Sequence, residues 1–102
     1  MAARRKTVGS TRVTTWFLYV LECRDGSLYT GITVNVAKRF AVHCAGKGAK
    51  YTRSHPPLRI LAVVEYADRA EASRAEHVVK RMPLAQKRLF CEAYPVKEKV
   101  PE

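Results

Sequence analysis

The chain is expected to fold as an α+β domain, a small three-stranded antiparallel sheet flanked by helices in the order β-β-α-β-α-α. Three observations lead there. The run WFLYVLEC from Trp16 to Cys23 meets an Asp25-Gly26 turn and then a second short extended stretch, which is the signature of a hairpin. Another branched run, Leu58 to Tyr66, supplies one more strand. Around these strands the apolar residues recur every three or four positions, the helical period. At 102 residues there is material for one domain with a single modest core.

In chain order, residues 1–13 hold Arg4, Arg5, Lys6 and Arg12 among small polar residues and read as a basic flexible tail. The folding domain is placed at 14–94. Its first strand is almost continuously apolar, as a strand covered on both faces would be. The second runs from Leu28 to about Ile32. Alternation puts Tyr19 on a face with Phe17 and Leu21, and Tyr29 with Ser27 and Gly31. Asn35 can cap a helix with Val36, Ala37, Phe40, Ala41 and Cys44 as its apolar stripe, ended by Gly46 and Gly48. Arg39 and His43, four apart, are neighbours beside that stripe. Ala45 to Pro57 is expected as a basic, turn-rich loop before the third strand. Asp68 and Glu71 have capping-box spacing for a helix reaching about Met82, and Pro83 opens a last helix from Leu84 to about Tyr94. Residues 95–102 read as a polar C-terminal tail.

Nineteen Lys and Arg against nine Asp and Glu leave a net charge of +10 and a pI near 10.0. Such a field draws polyanions, so nucleic acid is the expected partner. A membrane role is not expected, because no apolar run approaches the roughly 20 residues that span a bilayer and no signal-peptide pattern follows the basic start. The expected setting is the cytoplasm, with the chain a monomer or weak dimer. Cys23, Cys44 and Cys91 are odd in number and widely spaced, which argues for reduced, partly buried thiols over disulfides or a zinc site.

The segment Tyr19 to His43 concentrates chemistry-bearing residues: paired tyrosines, Gly31, Arg39 and His43. Each alone has an ordinary structural explanation, from strand packing to a strand-end bend. Glu76 lies within the apolar stripe Ala72, Ala75, Val79 and Met82, where an unpaired carboxylate is costly. It is expected either in a salt bridge to Arg74, Lys80 or Arg39, or as a metal ligand or general base. In the following loop Lys47, Lys50, Tyr51 and Arg53 sit among small glycines and form a candidate phosphate-contacting patch.

Two tyrosines ten apart, the second in Tyr29-Thr30-Gly31, then Arg39, His43 and a later Glu76, together resemble the GIY-YIG nuclease domain. Phe17-Leu18-Tyr19 matches the first triplet of that name and Tyr29-Thr30-Gly31 the second. The phrases LECRDGSLYTGIT and AGKGAKYTR are similar to short stand-alone bacterial members of the YhbQ type. Phe17 and Thr30 depart from the usual triplet residues, but both tyrosines and Gly31 are retained. The resemblance implies a metal-dependent endonuclease acting on DNA ahead of RNA, with Tyr19, Tyr29, Arg39, His43 and Glu76 catalytic. Glu76 would hold one Mg²⁺ or Mn²⁺ ion. Either tyrosine is a feasible general base, assisted by His43, if Arg39 and the metal lower its pKa. Gly31 would let backbone or substrate approach closely. The alternatives are a non-catalytic nucleic-acid-binding module on the same scaffold and an adaptor for an acidic protein.

Overall fold

A computed structural model describes residues 14–96. Its elements are β1 (Trp16–Cys23), β2 (Leu28–Thr33), α1 (Val36–Cys44), α2 (Lys50–Ser54), β3 (Pro57–Tyr66), α3 (Arg69–Lys80) and α4 (Leu84–Ala93). The basic segment 1–13 and residues 97–102 of the expected tails lie outside the described residues. Pro95, assigned from sequence to the C-terminal tail, instead pairs with Ala62 of β3, so the sheet holds the chain past α4.

The sheet has strand order β2-β1-β3 and is antiparallel throughout. The central position of β1 explains its unbroken apolar run. Phe17 to Leu21 are all buried because the odd residues face one layer and the even residues the other. Leu18 and Val20 pack with Leu28, Ala62, Val79 and Cys91, on the side covered by α3 and α4. Phe17, Tyr19 and Leu21 pack with Val36 of α1. At about 1.5–3 kcal/mol for each large side chain fully buried, these two layers supply most of the drive to fold.

The hairpin turn follows the expectation from Asp25-Gly26. Gly26 takes φ 88°, and the Ser27 amide and hydroxyl both donate to Asp25 Oδ1, at 3.0 and 2.6 Å. Those bonds hold the Asp25 carboxyl below its ordinary pKa. Asn35 caps α1 by accepting from the Lys38 amide at 3.0 Å, and Asp68 caps α3 by accepting from the Glu71 amide at 2.9 Å. Glu22 points away from the tyrosines, as alternation requires. Arg59 and then Arg88 hold its carboxyl below the usual range, and the latter ties α4 to β1.

Four expectations are corrected. The stretch Ala45 to Pro57 contains the one-turn helix α2, giving the order β-β-α-α-β-α-α. Five residues between glycines and prolines are too few to show an apolar period. The inner stripe of α1 is Val36, Phe40 and His43; Ala41 and Cys44 are exposed, so Cys44 is a surface thiol whereas Cys23 and Cys91 are buried. His43 is therefore on the buried side of its helix, not beside it. Finally, α3 ends at Lys80, two residues before the expected Met82. Among the described residues, no helix is long and apolar enough to cross a membrane.

Candidate active site

The site is built on the α1-covered face of the sheet. Tyr19 of the central strand is 2% exposed, and its hydroxyl lies 2.9 Å from His43 Nε2. Opposite it in register is Gly31 of β2. A methyl at position 31 would stand 2.5 Å from the Tyr19 hydroxyl oxygen and 2.7 Å from its ring carbon Cζ. The glycine thus makes room for the Tyr19 ring, where the sequence suggested an approach by backbone or substrate. Tyr29, half-buried on the same face, has its ring 6.3 Å from Tyr19 and 5.1 Å from His43.

His43 is 1% exposed and both ring nitrogens are bonded. Nδ1 lies 2.7 Å from the buried Thr52 hydroxyl, which itself donates to the Ala49 carbonyl at 2.9 Å. Thr52 was not among the residues singled out in the sequence, because its link to His43 crosses the break between two helices and leaves no periodic mark. Burial, reinforced by the Arg39 charge, lowers the His43 pKa to about 4. Burial, with Tyr29 next, raises that of Tyr19 to about 12, against the smaller opposing effect of Arg39. This reverses the expected direction for Tyr19. At neutral pH the pair is a neutral phenol and a neutral imidazole.

Arg39 and Glu76 are both near enough to Tyr19 to act on its charge. Glu76, 22% exposed at its side chain, pairs with Lys80 at 3.3 Å, one of the three partners considered for it. Lys80 also sits 6.0 Å above the Tyr29 ring. Among the described residues no three His, Cys, Asp or Glu side chains gather as a metal cage. A single hard carboxylate does fit a cation such as Mg²⁺, which keeps several waters and takes its remaining ligands from substrate phosphate. It does not fit zinc, which takes three or four protein ligands.

Lys47, Lys50 and Arg53 are exposed on and before α2. Tyr51 stacks between Tyr29 and His55, with centroids at 5.9 and 4.0 Å. The basic patch is therefore joined to the tyrosine face by a ladder of rings. Tyr19, Tyr29, Arg39, His43 and Glu76 are brought to one side of the molecule, and Lys47, Lys50, Tyr51 and Arg53 flank it.

Comparison with known proteins gives the family of the chain. A family profile described as the GIY-YIG catalytic domain matches residues 15–88. A UPF0213 protein of Cupriavidus pinatubonensis is 60% identical over 76 residues, 74% of this chain and 84% of the relative. One from Streptococcus pneumoniae is 46% identical over 74 residues, 72% of this chain and 75% of the relative. Among solved structures, the solution NMR structure of a UPF0213 protein from Bacillus halodurans is similar with a TM-score of 0.51 at 40% identity. A protein of E. faecalis is similar with a TM-score of 0.55 at 34% identity. Each match covers 78% of this chain and 84% of the other.

Proposed function

The chain belongs to the GIY-YIG family, within its short UPF0213 branch, and from that footing we propose that it is a metal-dependent endonuclease hydrolysing phosphodiester bonds, in DNA ahead of RNA. The observation that carries this reading is the convergence of His43, Arg39 and Glu76 on the buried Tyr19 phenol. A free tyrosinate is a poor candidate for the base. With a pKa of about 12, about one Tyr19 in 100,000 is ionised at pH 7.

The hydrogen bond to His43 offers another route. As water attacks phosphorus, its proton passes to the Tyr19 oxygen while the Tyr19 proton moves to His43 Nε2. Tyrosine is regenerated and imidazolium is the net acceptor, so no tyrosinate accumulates. Arg39 holds the non-bridging oxygens as negative charge develops, using the bidentate geometry of guanidinium. Glu76 would hold the Mg²⁺ or Mn²⁺ ion, after exchanging its bond to Lys80. When bound, such an ion would supply neutralisation of the scissile phosphate and of the leaving oxygen. Lys47, Lys50 and Arg53 would track the phosphate backbone, and their contribution should weaken with salt.

The test is a panel of single-stranded, duplex and branched DNA and RNA incubated with the protein and Mg²⁺, with Arg39→Ala and Glu76→Gln alongside. Cleavage by wild type that both variants lose is expected. Cleavage that both retain sinks the assigned site, and salt-sensitive binding with no cleavage of any substrate favours the non-catalytic module.

A further inference from the structure

We propose that Thr52, seated by the one-turn helix α2 and assisted by Gly48, is a positioning residue that holds His43 as the Nδ1–H tautomer, leaving Nε2 to accept the Tyr19 proton. Its catalytic consequence rests on the nuclease reading, whereas the tautomer does not.

The hydroxyl protons fix the direction of each bond in the row. The Thr52 hydroxyl has one proton and donates it to the Ala49 carbonyl, which can only accept. Its oxygen therefore faces His43 Nδ1, 2.7 Å away, with lone pairs, and the proton of that bond must belong to Nδ1. A neutral imidazole protonated at Nδ1 has an acceptor at Nε2, so the Tyr19 hydroxyl donates there. Every bond in the row then points from Tyr19 toward Ala49. The reverse order would withdraw the Thr52 proton from Ala49 and turn Nε2–H toward Tyr19, whose own proton would need another acceptor. With Tyr19, His43 and Thr52 all buried, an unmade bond in that row is expensive.

Local structure fixes Thr52 in this role. Ala49 is the N-cap of α2, and its carbonyl takes the Arg53 amide at 3.2 Å together with the Thr52 hydroxyl, the back-bond typical of threonine in a helical turn. Gly48 closes the other side. A methyl there would overlap Nδ1 and lie 2.8 Å from Cε1, so only glycine lets this backbone lie against the ring. The phrase that reads as a phosphate loop, Gly46 to Arg53, thus has a second use as the cradle of a histidine.

The experiment is two-bond ¹H–¹⁵N NMR of the full chain labelled at histidine, with cleavage rates measured on the same samples. Wild-type His43 should show a protonated Nδ1 and a bare Nε2. Thr52→Ser, which keeps the hydroxyl, should retain that signature. Thr52→Val, isosteric without it, should move the population toward Nε2–H and lower kcat on the order of 10- to 100-fold with KM little changed. A bare Nδ1 in wild type, or an unchanged tautomer in Thr52→Val, overturns the inference. Should Thr52→Val not fold, the wild-type and Thr52→Ser spectra decide it. A wild-type protein with the protonated Nδ1 and no cleavage activity would refute the nuclease reading and support the tautomer assignment.

Discussion

Burial of the Tyr19–His43 pair makes folding stability depend on pH on both sides of neutrality. His43 titrates near 4 in the native protein and near its ordinary 6.5 when unfolded. Between those values the unfolded chain binds a proton that the native chain refuses. The His43 contribution to stability is therefore full above pH 6.5 and is lost as the pH drops toward 4. A gap of about 2.5 units at 1.36 kcal/mol each sets the loss at up to about 3 kcal/mol. That is a large share of the 5–15 kcal/mol typical of a small domain. Tyr19 acts in the opposite direction, because its pKa of about 12 exceeds the ordinary 10.0. The unfolded chain releases a proton that the native one keeps, so stability falls again between pH 10 and 12. Urea unfolding at several pH values from 7.5 to 4 measures the acid limb. Other groups contribute to that slope, so His43→Gln is compared at each pH and should be flatter across the window. Coincident slopes for the two proteins, or a His43 resonance titrating near 6.5, would show that burial does not hold the imidazole neutral.

Gly31→Ala should force the Tyr19 ring from its place, at about 1–3 kcal/mol for overpacking and a fall in melting temperature of several degrees. A melting curve matching wild type would show that the ring has room. Tyr19→Phe keeps the packed ring and removes its hydroxyl. Thermal melts should show a loss of about 1–3 kcal/mol, because the buried His43 Nε2 is left without a partner, while cleavage should collapse; full activity would exclude Tyr19 from proton transfer. Lys80→Ala removes the partner of Glu76, a change worth under about 1 kcal/mol in stability for so exposed a pair. It should tighten Mn²⁺ binding followed by paramagnetic relaxation, and Glu76→Gln should weaken it.

The hairpin, the caps at Asn35 and Asp68 and the three strands were legible because each is written in local sequence. Asp-Gly fixes a turn, an amide finds a side-chain oxygen three residues back, and a double-faced strand shows an unbroken apolar run. The members of the site were legible as residue types in order. What escaped depends on how particular side chains meet across elements. Cys44 and His43 are adjacent in sequence, and only the docking of α1 decides which is buried. The direction of the Tyr19 pKa depended on how much desolvation opposes Arg39, a balance between burial and charge that no spacing encodes. Helix α2 is held by its contact with His43 and has no apolar face to announce it.

The tyrosine that defines the site is also part of the core, since Tyr19 packs in one layer with Phe17, Leu21 and Val36. A hydroxyl in such a layer requires a partner, and His43 satisfies that requirement at the same atom through which a proton would leave. One hydrogen bond meets the structural demand and would meet the catalytic one in the proposed reaction. The same logic extends outward: the buried imidazole needs a partner at Nδ1, Thr52 needs the Ala49 carbonyl, and that carbonyl begins the helix next to the exposed cations Lys50 and Arg53. A basic loop that a folding domain could otherwise leave loose is thereby fastened to its central strand through four groups. Lys50 and Arg53 are on the same helical turn as Thr52. Under the nuclease reading, a phosphate backbone held there would lie next to the residue that bonds His43, and Thr52 would link the two.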